Sequence, residues 1–205
     1  MTNQIFKNSA LLIVDVQNDF CPGGALAVPD GDSIIPVINS LCSQFRLVVA
    51  TQDWHPKGHI SFASTHPGKQ VYDTIPWNND HQVLWQDHCI AGSSGSAFHP
   101  ALDTDLCSMI IRKGTTAEMD SYSAFFENDH TTPTGLAGYL ETQNISSVVL
   151  CGLATDYCIY YSAIDAVNLG FSVSILQDGV RGVNIPEGSI VSAISDMKRQ
   201  GIKFI

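Results

Sequence analysis

The chain has 205 residues, 44% hydrophobic and 15% charged, which suits one globular domain with a substantial core and excludes a disordered chain. A formal net charge of −10 argues against nucleic acid and anionic membrane as partners. No stretch nears the roughly 18 apolar residues of a membrane span. No basic-then-apolar leader opens the chain, and the six cysteines form no CxxC pair, so a reduced, cytoplasmic protein is expected.

Ala10 to Val16, ALLIVDV, reads as a buried strand that meets an acid, followed by a loop around Pro22-Gly23-Gly24. Asp32 to Phe45 carries apolar residues at helical spacing, with Asp32 or Ser33 as cap and Pro36 in the first turn. Leu47 to Ala50 is a second strand, and TQDWHP follows it. Residues 56–106 then show no long periodic segment, yet five of the seven histidines lie between 55 and 88. A loop-rich stretch this long in a compact domain is expected to be functional, here an insertion that binds metal and substrate. Ser108 to Arg112 is a third strand, before Lys113-Gly114, and Thr134 to Thr142 a helix. Val148 to Cys151 is a fourth strand ending at Gly152, then a turn and a helix with Thr155 as cap and Cys158 in its first turn. Phe171 to Leu176 is a fifth strand ending at Asp178-Gly179, Pro186 opens a helix to about Arg199, and Ile202 to Ile205 is a sixth strand. The alternation predicts a single α/β domain over residues 1–205, a three-layer α/β/α arrangement around a six-stranded, mostly parallel sheet.

In such a sheet ligands bind beyond the carboxyl ends of the strands. Those ends carry Asp15, then Asp53 and His55, then Lys113, then the turn before Cys158. Free N–H groups and the positive dipole end of a helix favour a thiolate at Cys158 and can hold an oxyanion. Alone, Cys158 reads equally as a small buried apolar residue. A carboxylate, an ammonium and a thiol at one edge make a catalytic cluster. A buried Lys113 needs partners, and Asp15 and a Cys158 thiolate are the candidates. Asp53 and His55 alternate along an extended chain, so they share a face and can bind one metal ion. His88 is the best third ligand, with His59, Ser61, His66 and His99 as rivals. From the residues alone, a metal site and ordinary loop histidines both stay open. An oxygen and two imidazoles suit Zn²⁺, Fe²⁺ or Mn²⁺.

The motifs DVQNDF (15–20), PGGAL (22–26), TQDWHP (51–56), HISFAS (59–64), WQDHC (85–89), KGT (113–115), DSYSAFF (120–126), GLATDYC (152–158) and DGVRGVN (178–184) run in one order over nearly the whole chain. Together they resemble the nicotinamidases (pyrazinamidases) of the isochorismatase-like family of cysteine hydrolases. The resemblance implies a sheet of order 3-2-1-4-5-6 and a catalytic triad of Asp15, Lys113 and Cys158. It implies metal ligands Asp53, His55 and His88, with neither His59 nor Ser61 assigned. It also implies an oxyanion hole from the Ala154 and Cys158 N–H groups beside a cis Leu153–Ala154 peptide, and a ring pocket of Phe20, Trp85 and Tyr122. The implied reaction is hydrolysis of nicotinamide, with pyrazinamide also accepted, through a cysteine thioester in NAD salvage, with one divalent metal ion, Zn²⁺ ahead of Fe²⁺ or Mn²⁺. A carbamoyl or other small amide substrate is the alternative, and the oligomeric state is left undecided.

Overall fold

The computed structural model describes residue 6, residues 8–78 and residues 80–205. Residues 1–5 and 7, where a leader was sought in the sequence, lie outside the described residues.

Among the described residues eight strands follow in chain order: β1 (Ser9–Val14), β2 (Leu47–Asp53), β3 (Thr74–Trp77), β4 (Asp80–Val83), β5 (Met109–Lys113), β6 (Ser147–Leu153), β7 (Ser172–Arg181) and β8 (Lys203–Phe204). Six form one sheet of order β5-β2-β1-β6-β7-β8, with every neighbouring pair parallel. Counted within that sheet, the order is 3-2-1-4-5-6, as expected. Strands β3 and β4 form a separate antiparallel hairpin inside the 56–106 stretch, where the sequence signalled no strand. Its exposure alternates along β3, and Pro76 interrupts the run, so no apolar signal marks it.

Among the described residues four α-helices, α1 (Ile35–Cys42), α2 (Leu136–Thr142), α3 (Cys158–Asn168) and α4 (Ser189–Arg199), complete the layers. The six residues of β1 are all buried, as a central parallel strand requires. Its side chains divide by the two-residue period. Leu12 and Val14 pack with Leu140 of α2, Ile159 of α3 and Met197 of α4, while Leu11 and Ile13 pack with Ile38 of α1 on the other face. Gly152 lies opposite Val14, where β6 runs beside β1. Its φ is +117°, and a Cβ there would lie 2.0 Å from the Val14 carbonyl oxygen, so no side chain fits.

Several element ends differ from the sequence reading. Strand β2 continues to Asp53, because pairing with β5 carries on through Thr51, Gln52 and Asp53. Strand β7 runs past Asp178-Gly179 to Arg181, since its ladder with β6 shifts register between Leu150 and Gly152 and then resumes. Helix α1 follows a 3₁₀ turn at Gly31–Ile34, and neither Asp32 nor Ser33 caps it; the Ser33 hydroxyl donates to Asp30 O instead. Thr155 is no cap either, for α3 starts after Tyr157 with no side-chain cap bond. Pro186 precedes α4 rather than opening it, separated by Gly188 at φ +89°. Among the described residues no helix is long and apolar enough to cross a membrane.

The strand order reverses between β1 and β6. Beyond the carboxyl ends of these two strands lies the crevice where a ligand enters an open α/β sheet.

Candidate active site

Asp15 is the first residue beyond β1, at φ +50°, and is fully buried. Its Oδ1 accepts from the Thr51 hydroxyl at 2.6 Å, and its Oδ2 lies 2.9 Å from Lys113 Nζ. Lys113 ends β5 and is also fully buried. Its ammonium donates to Asp53 Oδ1 (2.5 Å) and Ser121 O (2.8 Å), and reaches Cys158 Sγ at 3.5 Å. One cation thus touches two carboxylates and a thiol, all of them buried, with Asp53 and Cys158 open only to the pocket.

Burial disfavours the ammonium of Lys113, but Asp15 and Asp53 outweigh it and hold its pKa well above the usual value. Burial pushes the Asp15 carboxyl up to about 6, against the pull of Lys113. Burial works to raise Asp53 as well, yet Lys113 and His55 outweigh it and hold that carboxyl well below the usual range. The Cys158 thiol is pushed well up by burial, with Lys113 opposing. These shifts favour a thiol, rather than the thiolate expected from the sequence, beside an ammonium and a carboxylate of raised basicity.

The Asp53, His55 and His88 ligand atoms lie within 4.8 Å of one another. His55 Nδ1 bonds to Gly114 O at 2.8 Å and His88 Nδ1 to Gln86 O at 2.7 Å. Carbonyls only accept, so each Nδ1 carries a proton, and each Nε2 faces Asp53 Oδ2, at 3.6 and 3.9 Å. Burial pulls His88 down to about 4, which keeps it neutral and able to ligate. Burial also disfavours charge on His55, but Asp53 overrides it and raises the pKa. Two imidazole nitrogens turned toward one carboxylate oxygen fit a divalent cation. Gly114 leaves room for the His55 ring, since a Cβ there would meet it at 2.4 Å.

The rivals for third ligand do not join this set. His59 stacks on His55 with ring centroids 4.1 Å apart, but its nitrogens are taken by Ser61 Oγ (2.7 Å) and Met119 O (3.0 Å). It groups with His55 and Asp120 rather than with Asp53. His66 bonds to Ile60 O, and His99 accepts from Ala101 N. Neither belongs to a metal-sized group among the described residues.

The third component is the turn from β6 into α3. The Leu153–Ala154 peptide is cis. Thr155 N donates to Arg181 O, while Tyr157 N and Ile159 N donate to Ala154 O. Among the described residues the Ala154 and Cys158 N–H groups donate to no turn or loop carbonyl. Both residues line a pocket that also meets Asp53, His88, Phe20, Trp85 and Tyr122. Trp85 Nε1 donates to the Tyr122 hydroxyl at 3.0 Å, which sets the two rings edge to face. Phe20 packs against His88, centroids 5.4 Å apart.

A largely apolar pocket that meets a thiol and, within a few ångströms of it, a three-ligand cluster agrees with comparison to known proteins. An isochorismatase domain model matches residues 9–203. The chain belongs to the isochorismatase family. It is 48% identical over 199 residues to a nicotinamidase of Acinetobacter baylyi, covering 97% of this chain and 92% of the relative. It is 43% identical to the Escherichia coli nicotinamidase, covering 94% and 92%. Among solved structures, an Acinetobacter baumanii nicotinamidase/pyrazinamidase superposes with a TM-score of 0.96 at 50% identity, over 98% of this chain and 97% of that one. A Pyrococcus horikoshii pyrazinamidase in complex with zinc gives 0.79 at 37% identity, over 97% and 98%. The yeast nicotinamidase bound to the inhibitor nicotinaldehyde gives 0.88 at 31% identity, over 96% and 99%.

All the residues that the family resemblance pointed to therefore meet at one crevice of this isochorismatase domain. Sequence reasoning missed the side chains that orient them. Gln17 is fully buried and grips the Asp53 backbone, accepting from Asp53 N (2.8 Å) and donating to Asp53 O (2.9 Å). Thr51 anchors Asp15, and Asp120, Tyr157 and Val183 add to the cavity wall. Each sits inside a motif quoted above, but Gln17, Thr51, Tyr157 and Val183 have residue types that do not announce chemistry by themselves, and Asp120 lies in the loop after β5 rather than at a strand's carboxyl end.

Proposed function

We propose that this isochorismatase-family protein is a metal-dependent amidohydrolase that converts nicotinamide and water to nicotinate and ammonia through a thioester on Cys158. The observation that supports it best is the single ammonium of Lys113, 2.9 Å from Asp15, 2.5 Å from Asp53 and 3.5 Å from Cys158. It couples the thiol, its base and a metal ligand in one buried cluster.

Asp53, His55 and His88 would hold a divalent ion, Zn²⁺ ahead of Fe²⁺ or Mn²⁺, which would supply Lewis-acid chemistry beside the ring pocket. Phe20, Trp85 and Tyr122 hold the ring by apolar and edge contacts, which leaves the carboxamide carbon toward Cys158. Asp15 takes the Sγ proton, and the thiolate attacks that carbon. Lys113 offsets the negative charge on Asp15 and on sulfur. The Ala154 and Cys158 N–H groups receive the oxyanion; loss of one such donor typically costs about 2.7–4 kcal/mol. Asp15 passes its proton to the amide nitrogen, the C–N bond breaks, and ammonia leaves a thioester. A water then gives a proton to Asp15 and its oxygen attacks the thioester carbon. The C–S bond breaks, and the thiolate recovers the proton from Asp15. A raised pKa suits Asp15 to both directions of transfer. Pyrazinamide presents the same ring shape and carboxamide and is a second substrate.

The experiment is ammonia release by the purified protein from nicotinamide, pyrazinamide and a panel of carbamoyl and other small amides. Release from nicotinamide and pyrazinamide is expected. Release only from a carbamoyl compound would keep the thioester chemistry and replace the substrate.

A further inference from the structure

Three consecutive residues hold the turn between Ala154 and Cys158 from outside the helix. Thr155 N donates to Arg181 O at 2.8 Å, and the Tyr157 hydroxyl donates to Ile185 O at 2.6 Å. Between them, the Asp156 carboxylate receives three donors. Val183 N reaches Oδ1 at 3.0 Å, while Asn184 N (2.9 Å) and the Ser189 hydroxyl (2.5 Å) reach Oδ2. Asp156 is only 6% exposed, and a carboxylate offers acceptors alone, so it matches every one of these donors. The connection from β7 to α4 is shaped to meet it. Asn184 takes φ +57°, and a Cβ on Gly182 would come within 2.8 Å of Asp156 Oδ1. The clamped segment also faces the reaction, because Val183 lines the same cavity as Ala154 and Cys158.

We propose that Asp156 is a positioning residue: by binding Val183 N, Asn184 N and Ser189 Oγ, it fixes the 154–158 turn so that the Ala154 and Cys158 N–H groups meet the oxyanion. It touches neither substrate nor sulfur and acts through the backbone it immobilises. The inference rests on the amide-hydrolase reading above and assigns a source for the precision of its oxyanion site.

Asp156→Asn tests it, since the substitution keeps the shape but sets an NH₂ group against an N–H or O–H donor. Ser189→Ala is the milder companion, removing one donor outside the cavity. With nicotinamide, kcat of Asp156→Asn should fall about tenfold to a hundredfold, the scale of a small misplacement of reacting groups, while KM stays near the wild-type value. Ser189→Ala should fall in between. Alkylation of Cys158 by iodoacetamide needs no oxyanion donor, so its rate should stay at the wild-type level in both variants. Unchanged kcat in Asp156→Asn overturns the proposal. So does a parallel loss of alkylation, which means the nucleophile itself was disturbed. If Asp156→Asn does not fold, Ser189→Ala decides by the same two readouts. If the wild type releases no ammonia from nicotinamide, the functional reading fails separately, and backbone hydrogen exchange then decides. Faster exchange over residues 154–158 in the variants upholds the clamp, and wild-type exchange there overturns it.

Discussion

Lys113 sets the character of the site at the level of single residues. A fully buried ammonium survives only because Asp15 and Asp53 both contact it. Lys113→Ala would leave two carboxylates buried without their counter-charge. It should cost about 3–5 kcal/mol of unfolding free energy, measured by urea denaturation, besides abolishing turnover. A variant as stable as the wild type would contradict the charge balance described here. Cys158→Ala removes only a sulfur and should keep the fold while ending turnover. These residues were legible because each is an ionisable or nucleophilic type at a strand's carboxyl end. Gln17 and Thr51 were not, since they work by orienting others through hydrogen bonds, and such bonds appear only once β1 and β2 lie side by side.

At the scale of elements, apolar runs marked β1, β2 and β6, because a strand buried on both faces must be continuously apolar, while the partly exposed β5, β7 and β8 showed shorter or alternating patterns. Helix starts were less legible. Thr155, Asp32 and Pro186 all carry good start signals, yet Thr155 is drawn into a backbone bond with Arg181, and Gly188 separates Pro186 from α4. Tertiary partners there outbid local propensity. Gly152 gives a sharp test. Gly152→Ala adds a Cβ 2.0 Å from Val14 O at φ +117°, so backbone strain alone should destabilise the protein by about 1–3 kcal/mol, with the clash in addition. An unchanged denaturation midpoint would mean that β1 and β6 are not packed as described. The loop before α2 offers a pH test. Desolvation opposes charge on Asp129, but bonds from Thr132 and Thr131 outweigh it and hold the carboxyl well below its usual range. A depressed folded pKa gives stability above the unfolded carboxyl value, about 4, and loses it as pH falls further. Asp129→Ala should therefore be less stable than wild type at pH 7, with the gap closing under acid. A gap that is constant down to low pH would contradict the assignment.

Over the whole molecule, the reversal of strand order between β1 and β6 gathers groups from five separated segments into one crevice. The topology followed from the alternation of strands and helices together with the family resemblance, whereas the β3–β4 hairpin left no apolar pattern to read. Asp53 and His55 come from the end of β2 and the residues after it, and His88 from the loop beyond β4. A metal held there would tie the 56–106 stretch to the sheet and bind the folded chain in preference to the unfolded one. Zn²⁺ at a hundred times its dissociation constant should then stabilise stripped protein by about 2.7 kcal/mol. His88→Ala should abolish that rise in melting temperature and lower metal content by elemental analysis. An equal rise in the variant would move the third ligand elsewhere.

The central claim is that Cys158 becomes acylated by nicotinamide. The most direct measurement is acid quenching of the enzyme during turnover, followed by mass spectrometry of the peptide that carries Cys158. The account predicts a wild-type peptide heavier by one nicotinoyl group, lost on treatment with hydroxylamine and absent from Cys158→Ala. Steady turnover in Cys158→Ala, with no adduct in either protein, would contradict it.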